Sequence, residues 1–209
     1  MRLRSAVLTD IGQQRPDNED RYLCDAKLGL YGVADGVGGL PGGAEAAERA
    51  TASIVRQVQA APPPGVPDLE EIVQNANAEV LALGRELSPT LGIGTTLTFG
   101  LVRAGKLHLA HVGDSRCYGW SDGRMTQLSH DHNVECEARR RRARGEAVFY
   151  HMANRNALTR CIGQNEPPEV DLLSRPLVPG ERYLFCSDGI TRLVRDTELS
   201  EFLAHATTP

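Results

Sequence analysis

The chain has no run of about 18 apolar residues, the length a membrane-crossing helix needs, so a spanning segment is not expected. Its opening, MRLRSAVLTD, lacks the long apolar core of a secretory leader, which points to a cytoplasmic location. The five cysteines, Cys24, Cys117, Cys136, Cys161 and Cys186, are odd in number, scattered, and never arranged as C-x-x-C, a pattern that fits reduced core thiols. An excess of positive charge is also missing. With 23 Lys and Arg against 27 Asp and Glu, the formal net charge of -4 argues against a dedicated nucleic-acid binder. Even the basic run Ala138 to Arg144 reads as the solvated face of a helix. There is no internal repeat.

What is present suits a globular protein of one domain or a modest pair: 209 residues, 41% apolar and 24% charged. Residues 2 to 9 alternate as a strand does, and 21 to 35 read as a hairpin turned near Ala26-Lys27. Two helical segments follow, Ala44 to Ala60 and Asp68 to about Leu87, with Asp68 as the N-cap and a proline-rich link that cannot be helical. From Gly94 to Trp120 the pattern returns to strands, turned at Ala104-Gly105 and Gly113-Asp114, which predicts a hairpin meander. Asp131 to Arg144 reads as a helix. Strand-like runs resume near 157–162, 169–175 and 181–187, and Asp196 caps a closing helix that ends near His205. Strands on either side of a helical pair, joined mainly by hairpins, indicate an α+β domain with antiparallel sheets flanked by helices. Segment 130–156, rich in arginine and poor in large apolar residues, is expected outside the core as a flap.

Four carboxylate clusters stand at strand edges: Asn18-Glu19-Asp20, Asp35-Gly36, Gly113-Asp114-Ser115 and Ser187-Asp188-Gly189. One such feature is a tight turn whose Asp bonds its own backbone. Four of them suggest a shared point, and in three an adjacent glycine lets the backbone bend and offer a carbonyl. Hard cations such as Mg²⁺ or Mn²⁺ take oxygen ligands and keep several waters, which matches carboxylates without His or Cys. A zinc site built from His130, His132, Cys136 and His151 is the poorer reading, because their spacing is irregular. Paired ions suit hydrolysis of a phosphate ester. Arg15 in QQRPDNED is the candidate for gripping the phosphate, and a surface salt bridge is its alternative.

Six ordered blocks, TDIGQQRPDNED, VADGVGG, GTTLT, AHVGDSRCY, ANRNALTRCIG and CSDGI, together resemble the metal-dependent, type 2C Ser/Thr protein phosphatases in their compact bacterial form. The resemblance covers nearly the whole chain. It implies a sandwich of two antiparallel β-sheets flanked by helices, with the metal site at one end. It implies Mn²⁺ or Mg²⁺ as cofactor, two ions with a weaker third. Asp35 would bridge both ions, with the Gly36 carbonyl, Asp20 and Asp188 as further ligands, Glu19 bonded to metal waters, and Asp114 toward the third ion. Arg15 would bind the phosphate while ion-activated water attacks phosphorus in line. Substrates would be phosphoserine and phosphothreonine proteins, a Ser/Thr kinase among them, attacked by a monomer that needs neither nucleic acid nor membrane. A catalytically weak pseudophosphatase or regulatory module of the same fold is the alternative.

The pattern departs from that family in three places. Val37 stands where some members have a His that serves as general acid. Arg192 stands where another Asp is usual. The family's final strand, opening with an Asp-Asn pair whose Asp would share an ion with Asp188, is missing, so residues 1–209 are expected to form one catalytic domain that is either part of a longer phosphatase or a shortened one with weaker metal binding and low turnover.

Overall fold

The computed structural model describes residues 3–39, 41–61 and 63–209. Its elements run β1 (Asp20–Asp25), β2 (Leu30–Asp35), α1 (Gly43–Ala60), α2 (Leu69–Leu87), β3 (Leu97–Arg103), β4 (Lys106–Val112), β5 (Arg116–Ser121), β6 (Arg124–Gln127), α3 (Val134–Ala143), β7 (Asp171–Pro176), β8 (Arg182–Cys186), α4 (Asp188–Thr191) and α5 (Asp196–His205). One sheet has the order β1-β2-β3-β4-β7 and the other β6-β5-β8, with every pairing antiparallel. The two sheets stack closely. A Cβ placed on Gly100 of β3 would lie 2.9 Å from the Phe185 ring of β8, so the glycine makes room for that aromatic across the sandwich.

Helix α1 buries Ala46, Ala47, Ala50, Ile54 and Val58 along one stripe, and α2 buries Ile72, Val73, Ala76 and Val80. These stripes close over Leu30, Ala34, Leu97, Phe99 and Leu101 of the larger sheet to form the main core. Asp68 caps α2 as expected, its carboxylate accepting from the Glu70 and Glu71 amides. A second, smaller core of Tyr118, Cys186 and Leu199 lies under α5. The five cysteines are free. Among the described residues no helix is long and apolar enough to cross a membrane.

The structure corrects several sequence expectations. Residues 3–9 form no strand: Leu8 is 93% exposed, and the alternating stretch has no ladder partner among the described residues. Arg2, where that strand was expected to begin, lies outside the described residues. Stretch 157–162 contributes only isolated bridges, Thr95 to Ile162 and Asn133 to Leu158. The meander is broken after β4. Gly113, at φ 116° and crowded by Thr96, turns the chain so that β5 joins the other sheet, where it gains β6, a strand too short for its alternation to stand out. Asp196 is the first residue of α5 and not its cap; Arg195 takes the cap position, and the Asp196 carboxylate accepts from the Tyr118 hydroxyl at 2.9 Å.

Candidate active site

Strand pairing brings the first two carboxylates together. In the β1–β2 ladder Asp20 stands directly opposite Asp35, an arrangement that repels unless a cation lies between the pair. Asp35 is held from its backbone. Its amide donates to Thr96 Oγ1 at 2.9 Å, and its carbonyl accepts from the Thr95 hydroxyl at 3.0 Å and the Thr96 amide at 2.8 Å. These bonds fix the backbone at Asp35, whose carboxylate lies in the fields of Asp20, Asp188 and Asp114. The Ser187 hydroxyl donates to Asp20 Oδ2 at 2.6 Å, which ties β1 to the end of β8 just before Asp188.

The glycines explain how the backbone comes so close. A Cβ on Gly36 would lie 2.5 Å from the Gly43 carbonyl, so the strand end and the start of α1 touch main chain to main chain. Glu19 lies against Gly43, and its own carbonyl accepts from the Gly36 amide at 3.2 Å. Arg15 reaches the same loop: its guanidinium lies against Gly38 and 3.5 Å from Glu19. The salt bridge and the position over the loop therefore coexist.

Charge is the dominant feature of this corner. Burial pushes the Asp35 carboxyl up to about 8, and the fields of Asp20, Asp188 and Asp114 push it the same way. Asp114, 7% exposed at the β4–β5 turn, is raised to about 6, again chiefly by burial and then by Asp188 and Asp131. Asp188 is raised by burial and by Asp20, against the opposing pull of Arg192 and Arg15. Four carboxylates thus converge with too little positive charge to balance them, which is the electrostatic signature of a cation site. Among the described residues, no three His, Cys, Asp or Glu side chains stand close enough together to hold a metal ion as they are. The zinc alternative fares badly. His132 is committed on both ring nitrogens, accepting from the Gly113 amide at 3.1 Å and facing Asp171 at 3.3 Å.

A cleft of about 200 Å³ opens beside the carboxylates, between the start of α3 and α4, and is lined by Asp114, Asp188, Asp131, Arg116, Arg139 and Arg192 among others. Segment 130–156 forms its far wall, with α3 capped by Asn133. The root of that segment is pinned to the larger sheet. The His111 Nε2–H donates to the His130 carbonyl at 2.8 Å, while the Thr98 hydroxyl donates to His111 Nδ1 at 2.8 Å.

The structure therefore brings Arg15, Glu19, Asp20, Asp35, Gly36, Asp114 and Asp188 to one end of the sandwich. Sequence reasoning gave no role to Thr95 and Thr96, which hold Asp35, to Ser187, or to His111, and offered His132 only as a zinc ligand. Ser187 stood in plain view beside Asp188 in the SDG block, whereas Thr95 and Thr96 lie about 60 residues from the Asp35 they hold. Nothing local marks the histidines, since their partners are 13 to 39 residues away.

A family model described as Protein phosphatase 2C matches residues 13–208. The Serine/threonine protein phosphatase PstP of Mycobacterium tuberculosis is 33% identical over 203 residues, covering 96% of this chain and 39% of its own length. The chain thus spans well under half of that relative. A putative protein phosphatase 2C-type of Streptococcus pyogenes is 32% identical, with coverages of 96% and 84%. The crystal structure of the PstP catalytic domain in complex with two manganese ions superposes with a TM-score of 0.76 at 30% identity, covering 93% of this chain and 81% of the other.

Proposed function

The chain belongs to the protein phosphatase 2C family, and from that premise we propose that it hydrolyses phosphoserine and phosphothreonine on proteins, in opposition to a Ser/Thr kinase, with residues 1–209 acting as a catalytic domain. The observation that carries this reading is the convergence of Asp20, Asp35, Asp114 and Asp188 at one end of the sandwich with unbalanced negative charge. Asp20, Asp35, Asp188 and the Gly36 carbonyl would hold Mn²⁺ or Mg²⁺, with Asp35 shared and Glu19 bonded to waters. When bound, such ions lower the pKa of water and neutralise phosphoryl charge.

The chain's own groups supply the rest. Thr95 and Thr96 fix the Asp35 backbone so that its carboxylate need not be reorganised. Ser187 orients Asp20, as an outer hydrogen bond orients any ligand. Arg15, half exposed over the glycine loop, is placed to take two phosphate oxygens through its planar fork. Val37, whose amide is bonded to the Gly94 carbonyl, has no proton to give, so the leaving alkoxide takes its proton from solvent.

Hydrolysis of p-nitrophenyl phosphate tests the reading. Turnover should require added Mn²⁺ or Mg²⁺ and vanish in EDTA, and Asp35→Asn should lose more than about tenfold in kcat, because one shared ligand serves two ions. Full activity in chelator would overturn it. A weak or silent enzyme of the same fold is favoured by one observation, the pairing of Arg192 with Asp188. The same assay distinguishes the two.

A further inference from the structure

Arg192 follows the single turn of α4, and its i,i+4 spacing brings the guanidinium back over Asp188, where Nη2 and Oδ2 form an ion pair. Arg192 also lines the cleft beside Asp114, and its field lowers the Asp114 carboxyl pKa against the effect of burial. Of the three arginines in the cleft, Arg116 is committed to Asp131 through a two-pronged contact at 2.7 to 3.1 Å. Arg139 leans on the Cys136 sulfur at 3.3 Å. Arg192 alone of the three touches one of the four converging carboxylates. It is half exposed while its partner is 21% exposed, so the pair is shielded enough to matter and open enough to be displaced.

A buried carboxylate, Asp114, and a part-buried one, Asp188, facing one cleft need positive charge. A divalent ion would bring it from solution, shedding water to do so, whereas a guanidinium is delivered by the fold with the chain. We propose that Arg192 is an internal cation for the Asp114–Asp188 side of the cleft, and that it competes with a divalent ion for that side. The proposal rests on the ligand assignment given above. On it, the ions held toward Asp20 and Asp35 are recruited normally, while an ion between Asp188 and Asp114 is opposed by a fixed positive charge.

Calorimetric Mn²⁺ titration of wild type, Arg192→Gln and Arg192→Lys decides it. Arg192→Gln should take up one further Mn²⁺ equivalent, or hold its weakest equivalent at least about tenfold more tightly, because one repelling charge is gone. Arg192→Lys, which keeps the charge, should follow wild type. In EDTA the Gln variant should melt below wild type, since Asp188 loses its partner and Asp114 a nearby positive charge, and Mn²⁺ should restore it. Circular dichroism in EDTA confirms that the variants are folded, as expected for a half-exposed residue after a four-residue helix. Superimposable isotherms for wild type and Arg192→Gln would overturn the proposal alone. A Lys variant that also gains the equivalent would overturn its basis in charge. Failure of wild type and both variants to bind any Mn²⁺ would overturn the ligand assignment, and this proposal with it.

Discussion

Arg15 shows how much one side chain's surroundings decide. It is 57% exposed and paired with Glu19, features that taken alone describe a surface ion pair of little consequence. Its contact with Gly38 places it over the loop that Asp35 opens, and its charge is felt at Asp188. If it grips phosphate in ground and transition states alike, Arg15→Ala should raise KM for an aryl phosphate roughly tenfold or more, from about 1.5–3 kcal/mol per charge-assisted hydrogen bond, with a smaller loss in kcat. Lys should rescue in part, since it lacks the paired donors. An unchanged KM would leave Arg15 with the salt bridge only.

At the scale of elements, the flap is where charge and position meet. Helix α3 carries Arg139 to Arg142, yet these are not equivalent. Arg141 and the neighbouring Arg144 are engaged by Glu146, Arg142 by the Val148 carbonyl and the Tyr150 ring, and Arg139 faces the cleft. Reversing charge at Arg139 and Arg140 should therefore raise KM for an acidic phosphopeptide severalfold while leaving p-nitrophenyl phosphate unaffected. Equal effects on both substrates would mean that the helix acts through the fold. The existence of α1, α2 and α3 was legible from periodicity and capping residues, and Asp68 caps where it was expected to. What was not legible was non-local. Nothing between Gly105 and Trp120 says that β5 crosses to the other sheet, because the decisive event is the steric fit of Gly113 against Thr96, 17 residues earlier. Likewise, residues 3–9 alternate as a strand does, but alternation supplies no hydrogen-bonding neighbour. The carboxylates were the opposite case: each announced itself beside a glycine or strand end, so the candidate site could be read more fully than the sheet order.

For the whole molecule, the larger sheet and the flap are joined through a buried group that titrates. His111 is 1% exposed, and burial together with the field of His132 pushes its pKa down to about 4. A histidine in the unfolded chain titrates near 6.5. Because the folded value is the lower one, the contribution of His111 to stability is complete above about 6.5 and is lost as pH falls from there toward 4. Asp35, whose folded value is raised, works in the opposite sense, its contribution being complete below about 4 and lost as pH rises toward about 8. Comparing slopes isolates the histidine. The melting temperature in EDTA should fall less steeply between about pH 6.5 and 4.5 for His111→Gln than for wild type. Identical slopes would assign the acid sensitivity to another group.

Asp20 and Asp35 meet as soon as one hairpin forms, but Asp188 arrives from the far side of the sandwich, more than 150 residues later in the chain, with Ser187 bonded back to Asp20. A nascent chain emerging from the ribosome therefore carries Asp20, Asp35 and Gly36 of the proposed ligand set long before Asp188 can complete it. Docking of β8, which sets Ser187 against Asp20, is what brings Asp188 to the other proposed ligands.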